Sequence, residues 1–194
     1  MRREALEMLV AKVADVTRLD RLVIVGSQSA HGQISWLPGP VLRSIEADFL
    51  LPGFGRNSVI DDECGPESDF FAEHGVYADP LGAGIVTLPR GWEDRLVPIM
   101  NSEGRPSWWA LEIHDTAASK LMAGRDKDFD FIIELVYSQT FCFETFLSRA
   151  ALLQESSHAA GLRSRVQKLA ERLLAAKLHD LERAVIAFLK TLPT

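Results

Sequence analysis

The stretch Leu22–Leu51, LVIVGSQSAHGQISWLPGPVLRSIEADFLL, decides the fold. Its first four residues are an unbroken apolar run between Arg21 and Gly26, the pattern of a strand buried on both faces. From Gln28 the residues suit a short helix, broken before Leu37-Pro38-Gly39-Pro40. Val41–Leu51 then resumes an extended apolar pattern, which predicts a second strand reaching Pro52 and Gly53. That strand carries two acids, Glu46 and Asp48. Residues two apart on a strand share a face, so these two project together while Ile45, Ala47 and Phe49 project the other way. Two carboxylates so close repel and are poorly solvated unless a cation sits between them. Hard oxygen donors of this kind favour Mg²⁺ or Mn²⁺. The Gly26-Ser27 turn that ends the first strand exposes backbone N–H groups and a hydroxyl, a site for phosphate; capping of the following helix is the plainer role for Ser27.

Working outward, Leu6, Leu9, Val10, Val13, Val16 and Leu19 recur at helical spacing and predict a helix running roughly to Thr17. Downstream, 58–78 reads as an acidic loop with a short helix or turn. Gly82–Pro89, Arg95–Met100 and Ser107–Ile113 read as further strands. His114–Gln139 predicts two helices joined at Gly124, and Cys142–Leu192 two or three more, packed as a cap or bundle. No long Pro/Gly/Ser linker and no repeat separates this tail from the rest.

Composition narrows the classes. The chain has 194 residues, 47% hydrophobic and 25% charged, enough for one globular domain with a helical appendage. Its net charge of -6 argues against nonspecific coating of duplex nucleic acid, which rests on Lys and Arg neutralising phosphates. Cys64 and Cys142 form neither a paired metal motif nor a disulfide framework, so reduced cytoplasmic thiols are expected. The N-terminal segment has acids interspersed among its apolar positions, unlike a signal peptide. No apolar run is long enough to span a bilayer, so no membrane association is expected.

The blocks VIVGSQSAHG, SIEADFLL, GWEDRLVPI and EIHDTAASKLMAGRDKDFDFI together resemble a bacterial branch of the minimal nucleotidyltransferase superfamily, within the DNA polymerase beta-like fold. The resemblance covers roughly residues 1–140. It implies an α/β (α+β) architecture with a mixed sheet flanked by helices, a nucleotidyltransferase-like domain over 1–140; the tail over 141–194 has no comparable match, and its helical spacing makes it a C-terminal helical cap or bundle. It implies transfer of a nucleoside monophosphate from an NTP to a hydroxyl. Related toxins of abortive-infection and toxin–antitoxin systems modify tRNA or protein, so an RNA (tRNA included) or protein acceptor and a cognate antitoxin are the implied partners.

Carried over residue by residue, the resemblance assigns the triphosphate to Gly26 and Ser27 and the divalent metals to Glu46 and Asp48. It adds Lys120 and Asp128 to the catalytic set, with Arg125 as a further cation on the nucleotide. Transfer of a phosphoryl group needs charge neutralisation and in-line positioning more than covalent help, which such a set supplies. Two departures stand out. The usual first metal ligand is Asp, and Glu46 is one methylene longer. The segment between the Gly-Ser turn and the acids is also longer than in most of the superfamily. For the third carboxylate, Glu93 and Asp94 are candidates, with Asp79 behind them.

Plainer roles stand beside these. Lys120, Arg125 and Asp128 also fit a solvated helix face with internal ion pairs. His31, His74 and His114 have no metal-ligand spacing, which favours capping or packing. Trp108 and Trp109 place one ring on each face of a strand, one in the core and one partly exposed. Leu162, Val166, Leu169, Leu173 and Leu174 form an apolar stripe that Leu178, Leu181, Val185 and Leu189 continue; any exposed remainder would serve a homodimer or a partner. The functional expectation is therefore an Mg²⁺- or Mn²⁺-dependent nucleotidyltransferase. The alternatives are a catalytically inactive nucleotide- or partner-binding module of the same fold, or a structural partner acting through its tail.

Overall fold

The computed structural model describes residues 1–51, 58–82, 84–155 and 161–192. By backbone contacts the chain divides into two compact units, one of Met1–Val86 with Glu93–Glu112, the other of Thr87–Trp92 with Ile113–Thr194.

The first unit is built on a five-stranded mixed sheet. Its strands are β1 (Val23–Val25), β2 (Glu46–Leu50), β3 (Tyr77–Leu81), β4 (Val97–Met100) and β5 (Pro106–Ala110), in the order β3-β2-β1-β5-β4. β1 runs antiparallel to β2 and parallel to β5, β2 is parallel to β3, and β4 is antiparallel to β5. The period-2 alternation of strands sends Ile24, Ala47, Phe49, Ala78, Trp108 and Ala110 to one face, all essentially buried. There they meet Leu6, Leu9, Val10 and Val13 of α1 (Arg3–Thr17) and Ile60 and Cys64 of α3 (Ser58–Cys64), forming one apolar cluster. Trp108 lies in this core. Trp109 turns to the other face, partly buried, with the Arg21 guanidinium 4.9 Å from its ring centre.

Three expectations are corrected. Val41–Arg43 belongs to a short helix, α2 (Gly39–Arg43), with Pro40 in its first turn, where the missing N–H costs nothing; the second strand starts only at Glu46. Its expected stop at Pro52 and Gly53 lies outside the described residues. The stretch 58–78 holds two helices, α3 and α4 (Asp69–His74), and the start of strand β3. Pro80 obscures that strand, but β3 is a sheet edge, where a residue without N–H is tolerated. Gly82–Pro89, expected as a strand, forms turns and bends over its described residues. Gly84 adopts φ 96° and Ile85 is 66% exposed, so its apolar run has no buried face to fill.

The second unit is helical: α5 (Ile113–Ala123), α6 (Asp126–Leu135), α7 (Phe143–Ala151), α8 (Leu162–Ala175) and α9 (His179–Thr191). Gly124, at φ 64°, joins α5 to α6 as its sequence position suggested. The long apolar stripe of the tail is interrupted at Lys177, which takes φ 60° and separates α8 from α9. Leu162, Val166, Leu169, Leu173 and Val185 are buried, while Leu174 and Ile186 remain exposed. Among the described residues no helix is long and apolar enough to cross a membrane.

Candidate active site

The face of the sheet opposite the α1–α3 core carries the acids. Glu46, Asp48 and Leu50 alternate with buried Ala47 and Phe49, and Tyr77, Asp79 and Leu81 alternate with buried Ala78 and Pro80. The parallel β2–β3 register sets Glu46 beside Tyr77 and Asp48 beside Asp79. Adjacent strands lie about 4.8 Å apart, so Asp48 and Asp79 form a lateral carboxylate pair, an arrangement that like charges alone would disfavour. Asp79, the weakest of the three candidates from sequence, is thus the acid that strand register brings to Asp48. Glu93 and Asp94 sit exposed on the single turn Trp92–Arg95.

β1 ends against the same pair. Val25 is opposite Asp48, and Gly26 follows with φ 64° and ψ -154°. A Cβ on Gly26 would lie 1.8 Å from Asp48 Oδ2, so only glycine leaves room for that carboxylate. The short helix expected from Gln28 is a four-residue 3₁₀ helix, Ser27–Ala30. A turn this short adds little dipole of its own, and Ser27 is half-buried. Gln28 and Ser29 are buried and hold the turn down. Gln28 Nε2 donates to Val41 O at 3.1 Å, and Ser29 Oγ donates to Gly26 O at 2.8 Å.

Tyr77 Oη donates to Glu46 Oε2 at 2.9 Å. Burial, the bond to Glu46, and the charges of Glu46, Asp79 and Asp48 push the Tyr77 phenol up to about 12. The phenol therefore stays protonated and donating at neutral pH. Tyr77 was invisible to sequence reasoning. The signal that could have found it is the alternation Tyr77-Ala78-Asp79-Pro80-Leu81, hidden by its proline.

Among the described residues no three His, Cys, Asp or Glu side chains already converge as a ready-made metal cage. Mg²⁺ rarely needs one. It is commonly held by one or two carboxylates and completed by water and substrate phosphates. The all-oxygen donor set suits such an ion, with Asp48 and Asp79 side by side on adjacent strands and Glu46 two residues from Asp48 on β2.

Lys120, Arg125 and Asp128, all in the second unit, are brought together. Asp128 is completely buried. Its Oδ2 accepts from Arg125 Nε at 2.7 Å and from the Arg125 backbone N–H at 3.2 Å, and its Oδ1 accepts from Arg125 Nη2 and Lys120 Nζ, both at 3.2 Å. Burial alone would raise the Asp128 carboxyl. The Arg125 hydrogen bonds and the charges of Lys120 and Arg125 outweigh it and hold the group below the ordinary carboxylate range. This is not a solvated helix face, since the carboxylate at its centre is fully buried. Asp128 ties the end of α5 to the start of α6 and fixes two cations; the Arg125 side chain stays 60% exposed. Lys120 Nζ also lies 4.9 Å from the Phe131 ring centre.

The histidines take packing roles. His31 is buried, 3.1 Å from Gln28 Oε1, and burial pulls its imidazole down to about 4. His114 Nε2 accepts the Cys142 N–H at 2.9 Å and stacks on Phe141. His74 packs on Phe70. The two cysteines are unpaired, Cys64 buried and Cys142 exposed. A further buried acid, Asp115, faces Arg149 Nε at 3.4 Å and was missed from sequence, because its place in the first turn of α5 reads as ordinary helix capping.

Residues 4–170 match the model of a family described as a nucleotidyltransferase of unknown function (DUF6036). The chain belongs to that family. No curated protein and no solved structure matches it. The family match includes the Gly-Ser turn, the acidic face and the Lys120–Asp128 node, and extends past the resemblance read from sequence into α8. Membership makes the chain a nucleotidyltransferase by class, with an NTP as the implied substrate. The mixed sheet accords with the fold expected from the sequence.

Proposed function

We propose that this nucleotidyltransferase moves a nucleoside monophosphate from an NTP to a hydroxyl of RNA or protein, with Mg²⁺ or Mn²⁺ held on its acidic face. The observation that carries the reading is the lateral pair of Asp48 and Asp79 beneath Gly26, where a side chain one carbon long would displace the carboxylate. Asp48 and Asp79 hold the metal, Glu46 completes the face, and the N–H groups and hydroxyl of Gly26-Ser27 receive the triphosphate. A bound divalent ion would neutralise phosphate charge and lower the acceptor hydroxyl's pKa. In the reaction the acceptor oxygen bonds to the α-phosphorus, the bond to the β-phosphate oxygen breaks, and pyrophosphate leaves. One of the face carboxylates takes the acceptor proton. Lys120 and Arg125 are the cationic residues of the reading. Asp128 belongs to the same set, and its carboxylate positions both cations.

A role as the toxin component of a toxin–antitoxin or abortive-infection pair, acting in the bacterial cytoplasm, rests on the motif resemblance alone. So do a cognate antitoxin and tRNA as acceptor. Exposed Leu174 and Ile186 on α8 and α9 supply apolar surface for a homodimer. The test is incubation with each labelled NTP, Mg²⁺ or Mn²⁺, and a cell extract, with Asp48→Ala beside wild type. Label in RNA or protein that falls at least 100-fold in the variant supports transfer and names the acceptor class. No label with any NTP would return the reading to a noncatalytic binding module of the same fold.

A further inference from the structure

Helix α8 carries four basic residues, Arg163, Arg165, Lys168 and Arg172. Arg163 donates to Leu189 O and Leu192 O, while Lys168 and Arg172 pair with Asp126. Arg165 is the exception: among the described residues its side chain has neither a hydrogen bond nor an ion pair. It is nevertheless seated. A Cβ on Gly124 would lie 2.5 Å from Arg165 Cδ and Nε and 2.6 Å from its Cζ, so the half-buried guanidinium end lies across the bare Cα of the α5–α6 joint. Gly124, at φ 64°, thus provides both the turn and the room for this arginine. The same joint gathers two more cations. Arg125 follows Gly124 directly, and the Gly124 N–H donates to Lys120 O at 2.9 Å, one helical turn back. Lys120 and Arg125 share the carboxylate of Asp128, so three cations stand against one carboxylate, a net of two positive charges.

Like charges so gathered repel, and a half-buried guanidinium with no acceptor leaves its N–H donors unused. An anion with several oxygens removes both penalties, and the planar fork of arginine fits phosphate oxygens two at a time. A backbone phosphate of RNA brings one negative charge, whereas the linked phosphates of an NTP bring several on neighbouring oxygens, the better match for a cluster with more than one charge to spare. We propose that Arg165 is a nucleotide-binding residue: its guanidinium, seated on Gly124, joins Arg125 in gripping phosphate oxygens of the NTP. The inference rests on the NTP-dependent reading above and adds to it a cation from α8, a helix outside the motif blocks.

The experiment is equilibrium binding by the full-length chain, in Mg²⁺, of each NTP, of inorganic tripolyphosphate and of a short single-stranded RNA. Wild type, Arg165→Gln, Arg165→Lys and Arg183→Ala are compared. Arg165→Gln keeps an unbranched stem over Gly124 and removes the charge, so folding is preserved, which urea midpoints check. The expected result for Arg165→Gln is a loss of NTP and tripolyphosphate affinity of about 10- to 100-fold, the range for one charge-assisted contact. Arg165→Lys restores the charge without the fork and should fall between Arg165→Gln and wild type. Arg183 is 69% exposed on α9, and its removal, a matched loss of one charge screened by salt, should change affinity by less than about threefold. NTP affinity in Arg165→Gln within about threefold of wild type would overturn the inference, as would an equal loss in Arg183→Ala, the mark of a general field effect. A loss confined to RNA would also overturn it, by moving the anion from nucleotide to acceptor. Wild type binding no NTP and no tripolyphosphate would sink the nucleotide reading itself, and this inference with it.

Discussion

Replacing Gly26 with alanine tests the site through its backbone. The residue sits at φ 64°, ψ -154°, a region essentially reserved for glycine, and a side chain there costs about 1–3 kcal/mol of strain. The added methyl would also stand 1.8 Å from Asp48 Oδ2, where ordinary contact begins at 3.4 Å. Unless the turn moves instead, the carboxylate must withdraw by about 1.6 Å, the difference of those distances. An ion bound at about 2.0–2.1 Å cannot follow a ligand that far, and misplacement by about 1 Å at a reacting centre costs on the order of 100-fold. Gly26→Ala should therefore lower Mn²⁺ affinity and labelled-nucleotide transfer by about 100-fold or more, while urea unfolding shows a loss of only about 1–3 kcal/mol. Gly75→Ala is a control for a positive φ alone, since Gly75 at φ 67°, ψ 17° lies in the left-handed region that other residues also enter, at lower strain than Gly26. Gly75 has φ 67° with nothing within 4 Å of a built Cβ, so its variant carries backbone strain without collision and should bind Mn²⁺ like wild type. Wild-type Mn²⁺ affinity in Gly26→Ala, or equal losses in the two variants, would refute the claim that Gly26 exists to make room for Asp48.

The remaining predictions concern buried charge. Asp128→Ala leaves Lys120 facing an empty pocket and should cost about 3 kcal/mol in urea unfolding, the low end for a broken buried pair because Arg125 is largely exposed. The Asp128 carboxyl is depressed in the folded chain, so its stabilisation is present above about pH 4 and lost as pH falls further. Asp128→Asn should flatten the acid limb of stability below that point. His31 acts in a higher window. Its imidazole is pulled from 6.5 to about 4, so the unfolded chain binds the proton first, and stability should fall by about 3 kcal/mol between pH 6.5 and 4. His31→Gln should remove that slope in denaturation midpoints measured across the range; an unchanged slope would mean that another group titrates there.

What could be read from sequence was what depends on near neighbours along the chain. The apolar run at β1, the heptad-like spacing of α1, the hinge at Gly124 and the shared face of Glu46 and Asp48 all follow from local period or local backbone preference. The errors are of one kind too. Pro80 reads as a strand breaker and Pro40 as a loop residue, because a proline's cost depends on whether its missing N–H faces a partner. That is settled by an edge position for β3 and a first helical turn for α2. Gly82–Pro89 shows the converse, an apolar run with no surface to cover.

The same division explains the site. Two acids on one strand can be paired by counting, whereas the partnership of Asp48 with Asp79 needs the register of β2 on β3, a non-local fact that places residue 79 opposite residue 48 and residue 77 opposite residue 46. Glu93 and Asp94 lie in a motif block and looked stronger for that reason, but a block's proximity in sequence carries no information about sheet register. Asp128 is a subtler case. Its spacing from Lys120 and Arg125 was legible as an ion-pair pattern, and spacing alone cannot say whether such a cluster is wet or dry. Burial decides its chemistry. In water the trio would be a weak surface network, while a carboxylate with no exposure and four donors is held ionised, with both oxygens engaged by Lys120 and Arg125. In the proposed transfer the acceptor proton goes to one of the half-buried carboxylates of the β2–β3 face, Glu46, Asp48 or Asp79.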